Sequence, residues 1–213
     1  MHPLLLMKQY LLAILILKAF LLPGALFAQD NKPAIDSLGV PGPILFEGKS
    51  YLLVRSSYTP DSTYNTYKQE YLPADDTLDT YRSKILVCVF TGNAKSDDIA
   101  NAKLDELREL KLTNAAVDFH PFNNKKTGDL MLDFLTTENS SDGQYIDVAD
   151  RSVYRYLDIT TTTGENCVLL FGISKKAYGD DVEKFMDLLK SKARVDLVKL
   201  IGNYKIPDIT ILK

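Results

Sequence analysis

The chain has 213 residues, with 25 Lys and Arg against 28 Asp and Glu and a net charge of −3. A mildly acidic chain without a basic run argues against nucleic acid as a partner. Its ordinary charged fraction and its apolar residues gathered in blocks argue against bulk disorder.

Residues 1–28 have the pattern of a secretory signal peptide. Lys8 supplies a positive start, residues 11–17 and 19–22 are apolar, Pro23-Gly24 breaks the helix, and Phe27-Ala28 precedes the polar Gln29-Asp30. Lys18 divides the apolar run, and neither half approaches the roughly 20 residues of a spanning helix. An uncleaved N-terminal anchor is the alternative reading. No Cys follows the apolar stretch, which argues against a lipoprotein. The expected address is export, periplasmic or extracellular, with no transmembrane segment after cleavage. The presequence carries two Lys and no acid, so the exported part is the more acidic.

Residues 29–45, with Pro33, Gly39, Pro41, Gly42 and Pro43, read as an extended tether. A single domain over 46–213 follows. Residues 51–58 and 63–72 form a predicted hairpin about Pro60-Asp61. In the second strand Tyr67, Gln69 and Tyr71 share one face, and Lys68, Glu70 and Leu72 share the other. Residues 75–82 read as a short helix capped by Asp76, and 84–90 as a buried strand. A clear helix starts at Ser96, where Asp97 and Asp98 favour the positive end, and carries Ala100, Leu104 and Leu107 on one side. Thr113-Asn114 ends it.

A second hairpin pairs 115–122 with 129–137, and 138–144 is a polar loop. Residues 152–159 and 167–173 are further strands. A C-terminal helix begins near Asp180-Asp181, carries the stripe Val182, Phe185, Met186, Leu189 and Ala193, and ends at Gly202. A break is expected near 192–194. Tight turns between neighbouring strands imply an α+β fold: a mainly antiparallel sheet of about six or seven strands with two main helices packed on it.

Cys88 and Cys167 each sit in an apolar run and read as buried thiols, with a disulfide as the alternative that export permits. The chain has 12 Tyr and no Trp, and Tyr51, Tyr58, Tyr64, Tyr67, Tyr71 and Tyr81 cluster early. Tyr joins an apolar body to a polar tip, which suits a half-exposed sheet face or a binding face.

His120 is the one histidine after the presequence, so a multi-His zinc site is excluded. It shares a strand side with Asp118, and Asp133 is placed opposite across the hairpin. Such a group could act as a general base, against the plainer reading of a solvated hairpin face. Pro121 marks this as an edge strand. The acid pairs Asp75-Asp76, Asp97-Asp98 and Asp180-Asp181 all open predicted helices, which explains them without catalysis. No phosphate loop, nucleophile elbow or Cys-x-x-Cys occurs. Glu70 and Val153-Tyr154-Arg155-Tyr156 are the other polar features inside strands; an Arg between two Tyr could stack or bind a carboxylate, against the plainer reading of an exposed strand residue paired with Glu70 or Asp158.

The segments 67–71, 77–81, Asp133-Phe134 and 153–156, with the presequence end Phe27-Ala28-Gln29-Asp30, resemble small exported Bacteroidota proteins without assigned function. The element order also resembles the PsbP/Mog1 sandwich, a binding and assembly fold. Neither resemblance supplies catalytic residues. The expected function is a non-enzymatic binding or assembly module. It would use the Tyr-bearing sheet residues Tyr67, Glu70, Tyr71, Tyr154, Arg155 and Tyr156 to hold a protein or small ligand, with no cofactor or metal. The alternative is a hydrolase centred on His120 with Asp118 or Asp133.

Overall fold

The computed structural model describes residues 34–212; the signal peptide reading lies outside the described residues. Eight strands form one antiparallel sheet: β1 (Ile44–Phe46), β2 (Lys49–Thr59), β3 (Tyr64–Leu72), β4 (Ser83–Gly92), β5 (Asp118–Asn123), β6 (Leu130–Asn139), β7 (Ile146–Thr160) and β8 (Asn166–Tyr178). Their spatial order is β1-β2-β3-β4-β8-β7-β6-β5. Among the described residues three helices accompany the sheet: α1 (Ser96–Thr113), α2 (Asp181–Leu189) and α3 (Lys192–Asn203).

The α+β class is as expected, but the count of six or seven strands with two main helices is corrected to eight strands and three helices. The extra strand, β1, is three residues long and lies partly in the segment read as a tether. Glu47 and Gly48 turn it into β2 with positive φ of 49° and 74°, and three residues are too few to show a period. The C-terminal helix breaks as expected, at 190–191 rather than 192–194, because Ser191 caps a new start by accepting the Ala193 N–H at 3.2 Å. Residues 75–82 form turns rather than a helix. Asp76 spends its carboxylate on the Arg82 and Ser83 N–H groups, at 2.9 and 3.2 Å, instead of on a helix start.

Strand alternation gives the sheet two apolar faces. On one, Leu86, Cys88, Val168, Leu170, Leu132 and Tyr156 pack under Ile99, Ala100, Leu104 and Leu107 of α1. On the other, Ile85, Val87, Leu169, Phe171 and Val153 pack under Leu197 and Ile201 of α3 and under Leu38, Val40, Ile44 and Ile209 from the chain ends. Segment 36–40 is therefore laid on the sheet. Leu38 is fully buried, and Asp36 accepts from the N–H groups of Leu38 and Val40 and from Gln69. Cys88 and Cys167 occupy opposite faces as free thiols, so the sheet itself prevents a disulfide. Burial pushes their thiols up to about 12 and about 11, which keeps both protonated and unreactive at neutral pH.

Two arginines of β7 fasten α3. Arg151 Nε donates to Asp133 at 2.9 Å and its Nη2 to the Arg194 carbonyl at 2.7 Å. Arg155 Nε donates to Asp129 at 2.8 Å and its Nη1 to the Tyr204 carbonyl at 3.1 Å, just beyond the helix end. Both guanidiniums are buried, where such charges persist only when paired and hydrogen-bonded.

Candidate functional site

The α1 helix covers only part of its sheet face. Where it leaves the sheet, an open cleft of about 380 Å³ remains. Antiparallel register builds its floor in rows. Lys84 lies opposite Ser174, Ser174 opposite Ser152, and Ser152 opposite Phe134. The next row is Lys176, Asp150 and Thr136. Lys103, Glu106 and Leu110 of α1 form one wall. Tyr81 leans in from the turn before β4. That turn is held by Asp76 and by two bonds to β8, Lys176 N–H to the Arg82 carbonyl and Tyr178 Oη to the Tyr81 carbonyl, both 3.0 Å.

Tyr154 supplies the inner end of the floor. Its ring rests over Gly172, where an added Cβ would lie 2.4 Å from Tyr154 Cδ1, so only glycine leaves room for it. It also meets Phe134 edge-on at 4.9 Å between ring centres. Lys84 and Lys176 lie 4.5 and 4.8 Å from the Tyr81 ring centre, and Lys103 lies 5.2 Å from that of Phe134. Aromatic faces thus steady the ammonium groups at the cleft.

Asp150 is the focus. Its nearest side-chain partners are long: Tyr81 Oη at 3.2 Å, Ser152 Oγ at 3.4 Å and Lys176 Nζ at 3.5 Å. Beside it Ser152 and Ser174 share a hydrogen bond of 2.7 Å. Burial raises the Asp150 carboxyl above the ordinary aspartate range, and the Lys176 charge and the Tyr81 hydroxyl offset only part of that.

A carboxylate with a raised folded-state pKa costs stability wherever it is ionised. Stability falls as pH rises from the unfolded pKa through the folded one, because the folded state binds the proton more tightly. Asp150→Asn is therefore expected to raise Tm at pH 7. The gap from the parent should narrow as pH approaches the unfolded aspartate pKa of about 3.9. Paired thermal melts across pH check this, and an equal or lower Tm at pH 7 would contradict it.

A family model of uncharacterised function matches residues 38–206, which include every cleft residue named above. The chain belongs to that family. Searches of curated proteins and of solved structures return no match, and the likenesses to exported Bacteroidota proteins and to the PsbP/Mog1 sandwich gain no support from them. Among the described residues, no helix of this family member is long and apolar enough to cross a membrane.

The residues singled out in the sequence are dispersed. Tyr71 is fully buried and donates to the Val40 carbonyl at 2.6 Å, so its face is occupied by the chain's own segment. Tyr67 is half-buried, 4.8 Å from Tyr58 between ring centres, beside a shallow groove with Ile35 and Leu212. Glu70 is buried on the opposite side of β3, ringed by Arg55, Lys68 and Lys84. Burial raises its carboxyl, but Lys84, Lys68 and Arg55 outweigh that and hold it below the ordinary range. Arg155 clamps Asp129 and α3. Tyr156 is buried under α1, its hydroxyl without a partner among the described residues. Of these six, Tyr154 alone lines the cleft.

His120 and Asp118 do meet, Nε2 to Oδ2 at 2.8 Å, on the exposed face of the edge strand β5. His120 pairs with Asp133 in register. The Asp133 carboxylate, however, is taken by Arg151 and by Arg194, each Nε at 2.9 Å. Burial raises the Asp118 carboxyl, but the His120 hydrogen bond and the charges of His120, Arg194 and Lys111 outweigh it and hold it below the ordinary range.

Asp150, Ser152, Ser174, Lys176 and Tyr81 carry no motif. Their available signal is strand period: Ser152 and Tyr154 extend back to Asp150, and Gly172 extends forward to Ser174 and Lys176.

Proposed function

We propose that this family member is an exported, non-enzymatic binding module whose ligand seat is the cleft between α1 and strands β4, β8, β7 and β6. The observation that carries the reading is Asp150: a largely buried carboxylate, held only by long contacts, at the floor of an open cleft rich in hydroxyl and ammonium groups. Such a group is unfavourable in the empty protein and gains when a ligand donor reaches it. The binding surface is thus moved from the Tyr67 and Tyr71 face to the one that bears Tyr154 and Tyr81.

Binding rather than catalysis is favoured by how the cleft's groups are engaged. Lys84 is tied to Glu70 at 2.8 Å and Lys103 to Glu106 at 2.7 Å, and His120 lies on the edge strand β5 in register with Asp133, whose carboxylate faces α3 on the opposite side of the sheet. The hydrolase alternative has the His120–Asp118 contact in its favour, but Arg151 and Arg194 deny it Asp133 as a base. Export is supported by the composition of residues 1–28; recovery of the full chain from the cytoplasmic fraction of an expressing bacterium would remove it.

A thermal-shift screen with small polar metabolites tests the seat, since a ligand of the folded state raises Tm. At least one compound is expected to stabilise the parent and to lose its effect in Asp150→Asn and Tyr81→Phe. A shift that persists in both variants places the ligand elsewhere and refutes the seat.

A further inference from the structure

Resting on that reading of the cleft, we infer that its ligand is a neutral, polyhydroxylated small molecule of the saccharide class. Charge balance comes first. The lining carries Lys84, Lys103 and Lys176 together with Glu106, Glu138 and Asp150. Lys103 and Lys176 find their partners within the cleft, Glu106 and Asp150, Lys84 finds Glu70 on β3, and Glu138 is exposed to solvent at the rim. A ligand with a net charge would enter a partly desolvated site whose buried charges already have an opposite charge beside them.

The donor and acceptor pattern is the second argument. Asp150 accepts only. The Ser152 and Ser174 hydroxyls, and that of Thr136 at the rim, both donate and accept, as sugar hydroxyls do. The Asp150 oxygens have contacts of 3.2 Å and longer, which leaves lone pairs for two neighbouring ligand hydroxyls. Charge-assisted bonds of that kind are shorter and stronger than the ones present.

Apolar walls are the third. Phe134, Leu110 and Val148 border the polar floor, which suits a ring that has C–H faces as well as hydroxyls. The volume of about 380 Å³ lies near the lower end of small-molecule sites, about 300–1,000 Å³, which fits one or two sugar rings.

Calorimetric titration of the full chain with hexoses, N-acetylhexosamines, hexitols and disaccharides tests this, with glutamate and spermidine as charged probes. Saturable binding of at least one neutral compound is expected, weakened by about tenfold or more in Asp150→Asn through loss of a charge-assisted hydrogen bond. Tyr81→Phe, a change that preserves the ring, should weaken it as well. Glutamate and spermidine should give no saturable heat. Binding of a charged probe alone, lost in Asp150→Asn, overturns the saccharide class and leaves the seat standing. Silence from every neutral compound, while the thermal-shift screen finds another cleft ligand, does the same. Silence in both experiments overturns class and seat together. Sugar binding unchanged in both variants puts the sugar outside the cleft and overturns the inference.

Discussion

Asp133→Ala should lower the unfolding free energy by about 3–5 kcal/mol, as expected when one partner of a buried ion pair is removed. The Asp133 and Arg151 side chains are 6% and 5% exposed, so the pair is largely desolvated. The change strands Arg151 and also frees Arg194, which reaches the other Asp133 oxygen from α3. The α3 start and β6 would then lose their shared anchor. Replacing Asp133 and Arg151 together by Leu and Met should cost much less, because the penalty comes from the uncompensated charge. Urea denaturation of both variants checks the pair. Equal losses in the single and the double change would contradict the assignment.

Leu107→Ala should cost about 2–5 kcal/mol, the range for truncating a buried leucine. Leu107 is fully buried and faces the apolar patch of Leu132, Tyr156 and Leu170. It lies one residue beyond Glu106 and one turn beyond Lys103, both in the cleft wall. The same truncation should therefore weaken the ligand-induced thermal shift as well as basal stability. Chemical denaturation is expected to show a lower midpoint with an unchanged slope. Loss of stability with full ligand response would mean that α1 does not shape the seat.

Most elements were legible because their periods were long enough to read. The 3.6 repeat of Ala100, Leu104 and Leu107 marked α1, and Cys88 and Cys167 marked the two central strands. β1 was hidden by its three residues and by neighbouring prolines. The turn at 75–82 was misread as a helix because Asp76 serves a turn and a helix cap with the same chemistry. Of the site, only Tyr154 was visible. Ser152 and Asp150 enter the cleft through β7, at and before the predicted strand start, and Ser174 and Lys176 through β8, beyond the predicted end at 173. Register then sets them side by side, and register is a property of pairing rather than of either segment. The tyrosine enrichment was legible, but its burial was not. What covers Tyr71 is a segment 31 residues earlier in the chain, whose proline content suggested a tether.

The most direct measurement is the amide spectrum of the isotope-labelled protein, titrated with the compound that gives the largest thermal shift. If the cleft is the ligand seat, the amides of Asp150, Ser152, Ser174 and Lys176 move in the parent and stay still in Asp150→Asn. Shifts centred on Tyr58 and Tyr67, or cleft shifts that persist in the variant, would contradict it.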